Sequence, residues 1–270
     1  MKLSETCFVH SGARIAEGVE IGEYAVIGEN VEIGRGTRIG HHVSITGNTR
    51  IGEFNEIHPM SVIGGPPQDL KFRGEASRLV IGDRNTIREF VTIHTGTEQG
   101  GGITAIGNDC LLMAYVHVAH DCILRDRVVL SNSTELAGHV LLEDGVVVGG
   151  KTGVHHFVTI GRGAFIGGMS AVRQDIPPFM VAEGMPARVR GINSIGLRRG
   201  DHTRDGMDAV KEAFRVLFRS DLNFRESADR LSDLADKYEE VRSILDAMRG
   251  MEQGRGGRAR ESTRIYPALS

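Results

Sequence analysis

Tyr115 to Leu124 reads YVHVAHDCIL, two histidines and an aspartate set in an otherwise apolar run. A histidine beside a carboxylate suits general-base chemistry, because the carboxylate can hold the tautomer and stabilise the imidazolium. Three more histidines follow at His139, His155 and His156. The same side chains could instead be ladder residues without chemistry, or imidazole ligands for zinc. The choice depends on where they point, and that depends on the elements that carry them.

Those elements follow a six-residue rhythm. Aliphatic residues recur from Ile15 through Ile21, Ile27 and Ile33 to Ile63, resume at Ile81, Ile87 and Ile93, then run from Ile106 to Val172 after a shift of one. Four positions after each lies a small or β-branched residue, as at Ala25, Val43, Cys110, Cys122 and Val140. This period suits short strands joined by tight corners, the hexapeptide pattern of a parallel β-helix. Three hexapeptides make one triangular turn, so residue i lies beneath residue i+18. The aliphatic residue and its partner four positions on face inward, which makes Cys110 and Cys122 core filler rather than metal ligands.

This register places the histidines. Val118 and Cys122 point inward, so His117, His120 and Asp121 are outward or corner residues. One coil on, Asp121 meets His139, His120 meets Gly138 and His117 meets Glu135, with backbones about 4.8 Å apart. His156 lies one coil beyond Gly138. An outward surface carrying His117, His120, Asp121, His139, His155 and His156 around a glycine gap has the composition of a site.

The rhythm breaks at about 64–80 and 94–105, and insertions in a solenoid map to loops on one face, often the binding face. The β-helix is expected over 1–190, an α-helical region over 191–250, and a mobile Arg/Gly-rich tail over 251–270. Val210, Phe214 and Leu217 share one helical face; Leu231, Leu234, Tyr238, Val241, Leu245 and Met248 share another.

With 32 basic and 35 acidic residues, the chain lacks the basic excess of a nucleic-acid binder. No apolar run approaches a membrane span, so no integral membrane association is expected. Three cysteines without a Cys-x-x-Cys spacing fit a reducing, cytoplasmic setting.

The repeat and the exit segment IPPFMVAEGMPARVRG resemble the left-handed β-helix acyltransferases. GGPPQDLKFRGE (64–75), IGDRNTIREFVTIHTGTEQGGG (81–102), HVAHDC (117–122), LAGHV (136–140) and GINSIGLRRG (191–200) resemble, in order, the bacterial UDP-N-acetylglucosamine acyltransferases of lipid A synthesis. The resemblance implies an all-β left-handed parallel β-helix with a small α-helical C-terminal region. It implies transfer of an (R)-3-hydroxyacyl chain from acyl carrier protein, through its phosphopantetheine, to the glucosamine 3-hydroxyl of UDP-N-acetylglucosamine. It also implies a homotrimer with sites between subunits, and neither cofactor nor metal. His120 would be the base, Asp121 its orienter and Gly138 an oxyanion donor. His117 and His139 would contact the sugar, with His155 and His156 beside them. Asp69 and Lys71 would reach substrate across the interface, and Asn193 and Arg199 would bind the uridine diphosphate. Gly168 would leave room for a long acyl chain. Two positions depart from the family pattern: His156 replaces its usual glutamine, and Ile195 stands where an acidic residue is frequent.

Two other activities fit parts of this pattern. A 3-amino version of the sugar acceptor is not excluded by the residues. A zinc enzyme like the γ-carbonic anhydrases would share the coil, but no histidine pair five residues apart completes such a set near His117. Arg188, Arg190, Arg198, Arg199 and Arg204 crowd the exit segment, where an acidic carrier protein could dock.

Overall fold

The computed structural model describes residues 2–200 and 202–263. Short strands, most of two residues, stack in parallel into three sheets that form the faces of a left-handed triangular coil. The first face holds Lys2–Leu3, Glu20–Ile21 and their successors to Phe165–Ile166. The second runs from Phe8–Val9 through His117–Val118 to Ala171–Val172, and the third from Arg14–Ile15 to Thr159–Ile160.

Each strand points one residue in and one out, and the inward residues stack through the whole length. Ile21, Ile27, Ile45, Leu112, Val118, Leu130 and Val148 are all fully or nearly fully buried. The small inward slot takes Cys110, Val116 and Cys122 as expected, and polar residues where partners exist. Asn55 and Asn85 sit there, stacked so that each amide is satisfied: Asn55 Nδ2 donates to the Gly82 carbonyl at 2.9 Å, and Asn85 Nδ2 to the Gly107 carbonyl at 3.0 Å. A buried polar group costs little once so bonded.

Most corners are two-residue turns whose second residue adopts left-handed backbone angles. Asp121, His139 and Phe157 do so at one edge, with φ of 60°, 65° and 63°. The sequence spends few glycines at this position.

The coil step is 18 residues where it is uninterrupted, 30 across the first inserted loop and 25 across the second. Ile57 pairs with Ile87, and Ile87 with Leu112, so the stack resumes in register after each insertion.

Met180–Gly184 joins the first face and turns back antiparallel into Ala187–Ile192. Helices follow: α1 (Ser194–Arg199), α2 (Arg204–Arg219), α3 (Phe224–Arg230), α4 (Ser232–Lys237), α5 (Glu239–Gln253) and α6 (Ala259–Thr263). The apolar stripes of α2 and α5 pack together through Val210, Val241, Ile244 and Leu245. No mobile tail begins at 251: α5 continues to Gln253, and 254–263 folds back onto the coil through Arg258, Ala259 and Arg260. Those arginines find carbonyl partners, which composition alone does not reveal. Residues 264–270 lie outside the described residues.

Candidate active site

His120 and Asp121 are the two residues of one corner between the second and third faces. His120 Nδ1 lies 2.7 Å from Asp121 Oδ2. A carboxylate only accepts, so Nδ1 carries the proton and Nε2 is left with its lone pair. Nε2 faces Asp69 Oδ2 at 3.9 Å, and the His120 side chain is only 13 % exposed.

Asp121 lies at a corner, as the register implies, but is only 1 % exposed. The second inserted loop covers it. Thr97 begins a single 3-10 turn, Glu98–Gly100, whose N-terminus it caps by accepting from the Gly100 N–H. Its own N–H donates to Asp121 Oδ1 at 2.8 Å and its hydroxyl to Oδ2 at 2.7 Å. The Asp121 N–H donates to Thr104 Oγ1. A Cβ on Gly100 would fall 1.9 Å from the Asp121 carboxyl carbon, so only glycine lets the loop close this far.

The space above His120 is occupied by its own ring: a Cβ on Gly138 would lie 2.5 Å from His120 Cε1. Among the described residues the Gly138 N–H has no acceptor. His139, next in chain, has Nδ1 3.6 Å from Asp121 Oδ2 and its ring stacked on Phe157 at 4.3 Å. Burial, with the nearby charges of His120, Arg260 and Lys71, takes its pKa down to about 4 despite Asp121. At neutral pH it is an uncharged hydrogen-bonding group.

The first inserted loop brings Asp69 to the His120 corner of its own chain, with Leu70 exposed beside it. Lys71 Nζ pairs with Asp69 Oδ2 at 2.8 Å, and the Lys71 N–H donates to Oδ1 at 2.9 Å. These bonds hold the Asp69 carboxyl below the usual carboxylate range. Asp69 thus lies beside the His120 corner of its own chain, with Lys71 paired to it.

His117 Nδ1 meets Thr92 Oγ1 at 2.7 Å, and burial lowers the His117 pKa. His94 packs its ring edge-on to His117 at 5.1 Å. It is buried, with a pKa pushed down to about 4 by burial and by His117 and His120. The six-residue count misses His94 because it opens an insertion, where register shifts; its pairing with Gly65 is the only signal. Thr97 is missed for the same reason, and Arg260 because its segment has the composition of a solvated tail.

Five predicted residues lie at the margins of this cluster or beyond it. His155 borders a groove of about 360 Å³ on the second face, lined also by His117, Glu135 and Arg173. His156 is exposed and pairs with Glu261 at 3.7 Å. Gly168 occupies the corner between the first and second faces, one face away from His120. Asn193 caps α1, accepting from the Gly196 N–H and donating to the Gly163 carbonyl, which lies at the third edge. Arg199, in the last turn of α1, stays with it.

His120, Asp121 and His139 offer three donor atoms within 4.8 Å of one another. Zinc bonds nitrogen and oxygen at about 2.0–2.2 Å, which at a tetrahedral angle separates two ligand atoms by about 3.3 Å. The 2.7 Å approach of Nδ1 to Oδ2 is that of a hydrogen bond, and both Asp121 oxygens already accept from Thr97. The cluster reads as a base with its orienter.

Residues 175–257 match the family model described as Udp N-acetylglucosamine O-acyltransferase, domain 2, and residues 1–35 match that of the bacterial transferase hexapeptide. A Paraburkholderia phymatum protein named acyl-[acyl-carrier-protein]–UDP-N-acetylglucosamine O-acyltransferase is 49% identical over 257 residues, 94% of this chain and 98% of its own. The Paraburkholderia xenovorans protein of the same name is 48% identical over the same shares. The crystal structure of UDP-N-acetylglucosamine O-acyltransferase from Moraxella catarrhalis superposes with a TM-score of 0.87 at 42% identity, covering 91% of this chain and 96% of that one.

Proposed function

The chain belongs to the acyl-[acyl-carrier-protein]–UDP-N-acetylglucosamine O-acyltransferase family, and we propose that His120 is the general base of its reaction. The protein transfers an acyl chain from acyl carrier protein to UDP-N-acetylglucosamine, the first step of lipid A biosynthesis. The observation that carries the assignment is the 2.7 Å bond from His120 Nδ1 to the buried Asp121, which leaves the Nε2 lone pair of the neutral ring toward Asp69.

Nε2 removes the proton of the glucosamine 3-hydroxyl as that oxygen attacks the thioester carbonyl. The carbonyl oxygen takes up negative charge, which the unpaired Gly138 N–H can meet. The tetrahedral adduct collapses, the carbon–sulfur bond breaks, and the phosphopantetheine thiolate recovers the proton from Nε2. Asp121 stabilises the transient imidazolium without itself exchanging a proton. No cofactor or metal enters these steps. Neutral His139 and His117 can hydrogen-bond the sugar, and Asp69 lies 3.9 Å from His120 Nε2.

Asn193 and Arg199 lie at another edge, so a homotrimer that brings a neighbour's α1 to this corner would unite them with the base. Outward Phe8, Val26 and Val62 give the second face an exposed apolar stripe suited to such contact. Arg198 and Arg199 on α1, beside Arg188 and Arg190, suit an acidic carrier protein. Among the described residues no helix is long and apolar enough to cross a membrane, and three free cysteines accord with action in the cytoplasm.

The test is incubation with UDP-N-acetylglucosamine and a series of (R)-3-hydroxyacyl carrier proteins, with mass analysis of the product. The wild type should yield the 3-O-acyl sugar nucleotide. His120→Ala should lower kcat roughly 10²–10⁴-fold in a chain that still folds, at a stability loss of about 1–3 kcal/mol, because Asp121 keeps both Thr97 donors and loses only the one from Nδ1. Turnover near wild type in His120→Ala would remove the base from this histidine.

A further inference from the structure

The mechanism above leaves unused the segment after α5, although it runs back over the edge that carries the site. Gly256 and Gly257 take left-handed backbone angles, φ 58° and 75°, and turn the chain there. The Gly257 carbonyl accepts from the Asp175 N–H, and the Ala259 N–H donates to Asp175 Oδ2, each at 2.9 Å. Asp175 is buried and takes a second backbone donor, the Thr159 N–H, at 2.7 Å. Arg258 Nη1 donates to the Arg173 carbonyl at 2.7 Å. Thus pinned, α6 delivers Arg260, whose Nη1 donates to the His139 carbonyl at 2.9 Å, a contact 121 residues apart in sequence.

We propose that Arg260 is a positioning residue for acyl transfer, holding the Gly138–His139 corner in place against His120; this rests on His120 being the base. The corner needs such a hold. His139 is a non-glycine residue at φ 65°, a conformation that costs energy unless its surroundings impose it. Its N–H donates to the His120 carbonyl at 3.0 Å, so movement of the His139 peptide is transmitted to the base. It also shifts the neighbouring Gly138 N–H, whose value to an oxyanion depends on prior alignment. The loop that carries Thr97 fixes the orienter, and Arg260 fixes the corner stacked on it.

The guanidinium also acts through charge. His139 is faced by Asp121, His120, Lys71 and Arg260, with Phe157 stacked on its ring. Arg260 is among the groups that keep His139 neutral. A protonated His139, its Nδ1 3.6 Å from Asp121 Oδ2, would compete with His120 for that carboxylate.

The experiment compares Arg260→Gln, Arg260→Lys and His120→Ala in the full chain, with kcat, KM for both substrates, a pH profile and a melting curve for each. Arg260→Gln should lower kcat by about 10- to 100-fold, as misplacement of a reacting group does, with KM within about twofold. The acidic limb of its kcat profile should move to higher pH, because His139 then protonates more easily. Arg260→Lys keeps the charge but loses the planar fork, so its limb should stay at the wild-type position while kcat remains below wild type. Wild-type kcat in Arg260→Gln overturns the proposal, as does a kcat loss matched by lost folding with the profile unmoved. If Arg260→Gln does not fold, Arg260→Lys decides alone: undiminished kcat there overturns the proposal. An inactive His120→Ala beside an unaffected Arg260→Gln refutes only this inference, whereas an active His120→Ala refutes the base on which it rests.

Discussion

Thr97 grips Asp121 twice, giving its backbone N–H to one carboxylate oxygen and its hydroxyl to the other, at 2.8 and 2.7 Å. A buried carboxylate is otherwise costly. Here the loop that removes water from Asp121 supplies the donors that replace it, and His120 adds the third. His120 is therefore oriented by a group that cannot turn away from it.

Thr97→Val keeps the shape but withdraws the hydroxyl. Asp121 stays buried with one donor fewer, a loss of about 1–3 kcal/mol of stability. The His120 ring also becomes less firmly held, so kcat should fall. Thr97→Ser should restore most of both quantities. Denaturant melts and steady-state rates on the pair check this; a Val variant as stable and active as wild type would show that the clamp is idle.

Gly138→Ala places a methyl where the His120 ring now lies, 2.5 Å from Cε1. The ring must move off Asp121, so kcat should drop toward that of His120→Ala, with a loss of stability like that of Thr97→Val. The double variant should lose no more than His120→Ala alone, because both changes act on one side chain. Additive losses would mean that Gly138 contributes independently of the ring position.

Acid should destabilise the protein in a defined window. His94 and His139 have folded pKa values of about 4 against 6.5 when free. The unfolded chain thus binds more protons between these values, so stability is fully present above pH 6.5 and falls as pH drops toward 4. Each histidine contributes on the order of 3 kcal/mol over that span. Asp175 works the other way: burial raises it from 3.8 to about 6, so its contribution is lost as pH rises through that range. Two histidines against one carboxylate leave a net loss toward acid. Melting curves from pH 7.5 to 4.5 measure it, and His94→Gln should flatten the slope; an unchanged slope would rule His94 out as a source.

Chelation should leave turnover intact. The only three-donor cluster among the described residues is His120, Asp121 and His139, and its Nδ1–Oδ2 approach of 2.7 Å is that of a hydrogen bond, with Oδ2 also accepting from Thr97. Exhaustive treatment with a strong chelator followed by assay checks this, and stoichiometric zinc released with loss of activity would contradict it.

The coil was legible because one inward side chain per six residues must fill a fixed interior, a constraint every strand repeats. That register also brings Asp121 beside His139 and His120 beside Gly138. It does not reveal how deeply Asp121 is buried, because its cover is an inserted loop with no period of its own. His94 and Thr97 were hidden for that reason, and so was the turn of Lys71 onto Asp69. Arg260 lies in a segment whose composition suggests a solvated tail, and only its carbonyl partners show otherwise. The placement of Gly168 and Asn193 at other edges follows from counting corners, but what unites them with His120 does not lie within one chain.

The return to register after steps of 30 and 25 residues has a consequence for descent. Extra chain emerging at an edge leaves the next turn of the spiral in phase, so it introduces no error that later turns must absorb. The two covering loops could thus be gained, lengthened or exchanged as independent acquisitions while the aliphatic stack beneath them stayed as it was. Variation in what the enzyme accepts can accumulate in 64–77 and 94–102 without renegotiating the scaffold, and relatives with different acceptors should differ there before they differ in the spiral.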